Sequence, residues 1–353
     1  MTRFAWLQAR TQSLAVLAAL AALAVVAAVT GIHMSHLYAG LVAHCEARGN
    51  CGVAITDFLS HQRFLQDALD LLMRLFPALI GAFWGAPLLA REMETGTYRL
   101  AWTQSVSRRR WIVARLGLLG LMTIVLTGAL TLTVTWWYRA VDATQASRYA
   151  FFDRRDLVPI GYAFFAFAVG ALAGAVIRRT VPAMVATLAV FAAARVAIAT
   201  WVRPHLLSPL HLATSLLNSN QFGFESSNGS APALVVRGDA PNGAWTIASR
   251  LVDGSGHTAS LAERVAFVKQ NCPNVVPPPQ VGGSGPHKVR IPDDVAAAMD
   301  SCREHAAQTY HLVVSYQPTS RYWTFQWLEL GIFTALAILC LAGCYVWVTR
   351  RVR

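Results

Sequence analysis

Six stretches of predominantly apolar residues run at approximately 13–37, 69–90, 111–137, 157–177, 181–201 and 325–348. Each offers about the 20 residues that a helix needs to cross roughly 30 Å of hydrocarbon, so each predicts a membrane span. Arginines mark the breaks between them. Arg3 and Arg10 precede the first stretch, Arg91, Arg99 and Arg108 to Arg110 separate the second and third, Arg178 and Arg179 separate the fourth and fifth, and Arg350, Arg351 and Arg353 follow the sixth. With six crossings all four clusters fall on one side. The positive-inside rule then puts that side, and both termini, in the cytoplasm of a multi-pass cell-membrane protein. Before the first span, Phe4, Trp6 and Leu7 with Arg3 and Arg10 predict a short interfacial helix over residues 1–12. The first apolar run is long for a signal-peptide core and lacks a clear cleavage pattern, so it is expected to be retained as a span.

Residues 202–324 break the pattern. Eleven of the fifteen prolines and both lysines lie there, among many Gly, Ser and Asn residues. The expected architecture is an all-α polytopic membrane protein of six transmembrane helices, with an α+β extracellular domain between helices five and six. The five-helix region covers 13–201, the extracellular domain 202–324, and the sixth helix with its basic tail 325–353. Within the domain, Ala244 to Val252 and Leu312 to Gln317 predict strands, Asp253-Gly254 a turn, and Pro292 with Asp293 and Asp294 the start of a helix reaching about Gln308. Cys45 and Cys51 fall in the first outer loop, and Cys272 and Cys302 in the domain. Four cysteines in an oxidising compartment allow three pairings, with Cys45–Cys51 and Cys272–Cys302 the local choice. Four free thiols are the alternative.

Composition agrees with a membrane protein. Only 14% of the residues are charged and 55% are hydrophobic, against about 25% charged in soluble domains. The net charge of +12 would suggest nucleic acid in a soluble protein. Here the expected cytoplasmic segments, counting Arg115, hold thirteen arginines and two glutamates. Nearly all of the excess is therefore a record of orientation, and no nucleic-acid partner is expected. No paired carboxylates, nucleophile elbow or metal-ligand spacing is evident, so neither a metal site nor an enzyme is expected. A phosphate-binding Walker A loop needs a lysine, and Lys269 and Lys288, the only two lysines, both lie in the outer domain.

Between the second and third spans, residues 91–110 read Arg-Glu-Met-Glu-Thr-Gly-Thr-Tyr-Arg-Leu-Ala-Trp-Thr-Gln-Ser-Val-Ser-Arg-Arg-Arg. Gly96 suits the end of the second helix, Tyr98 to Gln104 form a short amphipathic segment, and Ser107 suits the N-cap of the third. The ordered set Glu92 and Glu94, Gly96-Thr97, Leu100 to Trp102, Ser107-Arg108 and a basic residue seven positions on, Arg115 where lysine is commoner, resembles the type-2 ABC exporter permease family. The layout of an interfacial helix and six spans is similar too. The stretch from Tyr316-Gln317-Pro318 to Glu329 resembles such permeases from high-GC actinobacteria, in keeping with the scarcity of lysine. The large outer domain departs from many members.

That resemblance implies a membrane-spanning permease subunit that works as a dimer with a second, identical or different, permease protomer. A separate ABC ATPase would bind ATP and magnesium; this chain would carry no cofactor. Glu92 and Glu94 would contact or orient the ATPase, Tyr98, Leu100 and Trp102 would supply the docking surface, and Gly96, Thr97 and Arg108 would complete the coupling motif. Nothing about substrate is carried over, because the large outer domain departs from many members; the expected exported cargo is an amphipathic or hydrophobic small molecule or lipid. A plain basic loop held by anionic lipid is the bland alternative for the segment. For the whole chain it is a membrane-anchored sensor or assembly factor with a ligand-binding outer domain.

Polar residues inside the spans offer further candidates. Thr123, Thr127, Thr131 and Thr135 recur every four residues and share a helix face. That stripe suits either a substrate path or bonding to the helix's own carbonyls. Gly81 and Gly85, and Ala166, Gly170 and Gly174, suit close helix packing. Asp70 and Arg74 form a local pair by spacing. Arg195 and Glu329 lie at comparable expected depths and are candidates for an intramembrane pair, unless Arg195 snorkels to the surface.

Overall fold

The computed structural model describes residues 25–40, 58, 60, 63–96, 107–142, 147–218, 221–225, 231–238, 240, 241, 243–272, 275 and 293–351. The chain divides into two compact units, with Leu207–Ser320 forming the second. Among the described residues five helices are long and apolar enough to cross a membrane: Arg63–Thr95, Arg109–Trp137, Arg148–Ile177, Thr180–His205 and Thr319–Arg351. They overlap the last five expected spans. Of the first expected span, residues 25–40 are helical (α1) and the remainder lies outside the described residues, as do the interfacial segment 1–12, Cys45 and Cys51.

The membrane unit is organised around its most apolar helix. We label Arg63–Thr95 α2, Arg108–Trp137 α3, Val158–Ile177 α4, Thr180–Ala197 α5 and Tyr322–Arg351 α8. α4 is made of small and aromatic apolar residues and is buried on most of its circumference, packing against α2, α3, α5 and α8. A helix apolar all round belongs in the middle of a bundle. α1 instead packs on α2 and α3, through Ala27 and Met34 against Leu69, Met73, Leu130 and Trp137.

Glycine decides how α2 meets α4. A Cβ at Gly85 would lie 2.5 Å from the Phe167 carbonyl oxygen, and one at Gly170 would lie 2.4 Å from that of Gly81 and 2.7 Å from the Ala86 nitrogen. At Gly174 it would meet the Ala86 carbonyl oxygen at 2.4 Å. The two main chains are thus in direct contact, which only residues lacking Cβ permit. At this crossing α2 widens into a π turn over Gly81–Gly85, a form often found at functional sites.

The second unit carries two small antiparallel sheets. One has the order β1-β5-β4, from Leu210–Thr214, Tyr310–Gln317 and Trp245–Asp253; the other pairs β2, Gln221–Glu225, with β3, Ala233–Arg237. Helices α6 (Leu261–Asn271) and α7 (Asp293–Thr309) cover a core that includes Leu234, Leu251, Phe267, Cys302, Leu312 and Val314. Ser260 and Glu263 close a reciprocal capping box at the start of α6, satisfying two otherwise orphaned N–H groups. Hydrogen bonds from the Ser255 hydroxyl and the backbone N–H groups of His257 and Ser255 hold the Asp253 carboxyl below the usual range and shape the turn after β4. Cys272 and Cys302 are bridged, closing a separation of 30 residues between α6 and α7.

Adding a methyl group at the crossing is expected to be costly. Gly170→Ala should lower the unfolding midpoint of the detergent-solubilised protein by the equivalent of about 1–3 kcal/mol. Gly117→Ala, where nothing lies within 4 Å of the added carbon, should leave it equal or raise it through helix propensity. Equal midpoints for Gly170→Ala and the unaltered protein would show that the backbones are not in contact.

Candidate functional site

α2, α3 and α5 are fastened together where the arginine clusters lie. α2 stops at Gly96, whose φ of +72° puts it in the left-handed region that favours glycine. α3 restarts after Ser107, extended at φ −64° and ψ 139°, whose hydroxyl accepts a hydrogen bond from the Arg110 N–H at 3.4 Å. Local chemistry thus ends one helix and begins the next. Between them, Thr97, Tyr98, Leu100 and Trp102 lie outside the described residues; Arg108 is the first residue of α3.

The two glutamates face neighbouring helices. Arg115 donates from Nη1 to Glu92 Oε1, and its guanidinium lies 5.0 Å from the centroid of the Trp111 ring. The acidic and basic members of the ordered motif are therefore each other's partner, linking α2 to α3. Glu94 Oε2 accepts from the Thr180 backbone N–H at 3.1 Å and from its hydroxyl at 2.8 Å. The N-cap of α5, Arg179, makes no side-chain capping bond. A carboxylate from α2 supplies it instead, and negative charge there suits the macrodipole of α5.

A second polar cluster lies at the opposite end of the helices. Glu329, buried in α8, receives Arg203 in a two-pronged contact, Nε to Oε2 and Nη2 to Oε1, both at 2.8 Å, and the Tyr162 hydroxyl at 2.6 Å. Arg203 also donates to Asp153. Gln326, one turn earlier in α8, accepts from the Leu157 and Val158 N–H groups at 3.1 and 2.9 Å and so caps α4. Arg155 forms a fork on Asp142 at 2.8 and 2.9 Å. Asp70 is engaged by Tyr138 at 2.8 Å and by Arg154, rather than by Arg74.

This arrangement corrects the expected Arg195–Glu329 pair. Arg195 instead donates to the Arg74 carbonyl oxygen at 3.1 Å and lies 4.7 Å from the centroid of the Tyr162 ring. The reason is that α5 does not end near residue 201. It continues through a π turn, Ile198–Val202, and a tight turn, Arg203–His205, which brings Arg203 to the carboxylate.

The threonine stripe faces protein. Thr123 and Thr131 donate to the Leu119 and Gly128 carbonyls at 2.9 and 3.0 Å, and Thr135 accepts from the Asp156 N–H at 3.0 Å. Thr127 is buried with its hydroxyl unpartnered among the described residues. On the same helix Gly120 and Gly128 approach Phe164 and Ile160 of α4. Packing and self-bonding account for three of these hydroxyls.

An apolar bundle of five long helices with internally satisfied charges defines a multi-pass helical membrane protein. The family model described as ABC-2 membrane transporter related matches residues 17–203, more than half of the chain, and the chain belongs to that family. Membership makes it a permease-type membrane subunit of a transporter. No curated protein and no solved structure matches it. The matched region ends at Arg203, so it contains both glutamate contacts and leaves out the inserted unit and α8.

Removing one partner of a buried ion pair typically costs about 3–5 kcal/mol. Arg203→Met is expected to destabilise the protein on that scale in chemical unfolding. A double-mutant cycle with Glu329→Met should show coupling above about 1 kcal/mol. The same cycle between Arg195→Met and Glu329→Met should show less; coupling larger than that of Arg203 would restore the pairing read from the sequence.

Proposed function

We propose that this chain is the membrane-spanning subunit of an ATP-driven exporter, working as a pair of protomers with a separate ATPase that meets residues 91–110. One observation carries the reading. The segment that would meet the motor is bounded on one side by a helix end tied to α3 through Glu92–Arg115 and to α5 through Glu94–Thr180. A push delivered between Gly96 and Ser107 is then borne by three helices together. Closure of two ATPase subunits would supply that push and turn the paired protomers from inward- to outward-facing. Glu92 and Glu94 orient the segment rather than touch the ATPase, leaving Tyr98, Leu100 and Trp102 to dock, with Thr97 and Arg108 beside them.

Orientation follows from charge. The arginine-rich helix ends belong in the cytoplasm, which puts the inserted unit outside, where a Cys272–Cys302 bridge persists. The cell membrane is the expected site, and the cargo an amphipathic or hydrophobic molecule or lipid entering from the inner side. ATP and magnesium stay with the partner. A sensor or assembly factor would leave the ordered segment from Glu92 to Thr97 without purpose.

Affinity purification in mild detergent tests this reading. The unaltered chain should bring down a stoichiometric polypeptide that mass spectrometry shows to carry a Walker A sequence. Glu92→Arg should reduce its recovery about tenfold, equivalent to about 1.4 kcal/mol, at unchanged membrane insertion. The charge swap Glu92→Arg with Arg115→Glu should restore most of it. Reproducible absence of any such ATPase would sink the exporter reading.

A further inference from the structure

The inserted unit contains a cleft of about 580 Å³ between the open edges of β3 and β4, closed at one side by the residues leading into α6. Its volume lies within the range of about 300–1,000 Å³ typical of ligand pockets. Three arginines line it: Arg237 on β3, Arg250 on β4 and Arg264 in the first turn of α6.

Strand alternation arranges them around the opening. Leu234 and Val236 of β3 and Leu251 of β4 point into the core, while Arg237 and Arg250 are exposed on the other face, at the mouth. Arg264 comes from the helix that covers the core side and donates from Nη1 to the Leu234 carbonyl oxygen at 3.3 Å. Its Nε is enclosed and has no partner among the described residues. Two acids of this unit are engaged elsewhere, Glu263 with the Ser260 N–H and Asp253 with Ser255 and His257. Among the described residues no carboxylate forms an ion pair with any of the three arginines.

Three guanidiniums around one cleft, without an ion-pair partner among the described residues and one with a buried N–H unpartnered there, make an electrostatic sink for an anion. Guanidinium forks match the oxygens of phosphate and carboxylate. Three of them carry more positive charge than one carboxylate neutralises, and suit a group with three oxygens and close to two negative charges. The Thr258 hydroxyl adds a donor, the Ser249 hydroxyl being given to the Gly238 carbonyl, and Val235 and Ala248 leave part of the wall apolar. We propose that this cleft is a binding site for a phosphate monoester, its phosphate held between Arg264 at the floor and Arg237 and Arg250 at the mouth. The site stands independently of the exporter reading.

Calorimetric titration of the full chain in lipid nanodiscs tests the proposal with three probes: inorganic phosphate, hexyl phosphate and hexanoate. Hexyl phosphate should bind at least about tenfold tighter than hexanoate. Its affinity should fall about tenfold or more in Arg264→Gln and in Arg237→Gln with Arg250→Gln, the scale of one lost charged hydrogen bond. Hexyl phosphate binding well above inorganic phosphate assigns the ester's apolar part to the wall. Equal binding of the two assigns free phosphate as the ligand, and the phosphate site stands in either case. If Arg264→Gln does not fold, the exposed pair Arg237 and Arg250 carries the test. No binding of either phosphate, hexanoate binding as tightly as hexyl phosphate, or unchanged affinity in the folded variants would overturn it.

Discussion

Contact between the main chains of α2 and α4 governs where most other groups in the membrane unit fall. Lipid tails are as apolar as leucine, so spans associate through close packing and polar contacts rather than through the hydrophobic effect. Gly81, Gly85, Gly170 and Gly174 let two backbones touch. The π turn at the contact adds a residue to α2, and at 3.6 residues per turn one residue rotates the remainder of the helix by about 100°. That rotation sets the direction of Glu92 and Glu94 at the end of α2. Their contacts with Arg115 and Thr180 are thus downstream of a packing decision made a few turns earlier.

Charge inside the bundle obeys a different constraint. A carboxylate in hydrocarbon is tolerated only with partners, and Glu329 has both its oxygens occupied by Arg203 and Tyr162. Such a pair contributes little net stability over a well-packed apolar replacement, yet it is unforgiving of misplacement. Its value is therefore in specifying which ends of α4, α5 and α8 meet. Gln326 does the same without charge, by accepting from the first N–H groups of α4.

What the sequence made legible was whatever a few adjacent residues decide. The positions of the later spans, Gly96 as a helix stop, Ser107 as a cap and the glycine pairs all follow from local chemistry. β4, β5 and α7 were readable from alternation and from acidic residues at a helix start. β1 was not, because its Leu-His-Leu-Ala-Thr alternates over only three positions and most of its residues are exposed. α6 has a sequence signal in Ser260 and Glu263, at capping-box spacing, that the expected elements did not include. Partnerships across the chain were the least accessible. Glu329 declared its need for a cation, but counting depth along a straight α5 ending near 201 selected Arg195, eight residues short of Arg203. Nothing near Glu94 points to Thr180, 86 residues away.

α5 and the turns that prolong it to His205 have a mechanical consequence. This segment is bonded to Glu94 of α2 at Thr180 and to Glu329 of α8 at Arg203. About 23 residues separate these fastenings, or roughly 35 Å of helix at 1.5 Å per residue. Much of the flank between them is exposed, so its attitude is set by its two ends more than by its sides. It is a tie rod: displacement of one fastening along its length must appear at the other, since hydrogen-bonded helix does not stretch. The end of α2 and the head of α8 are thereby linked although neither needs to touch the other.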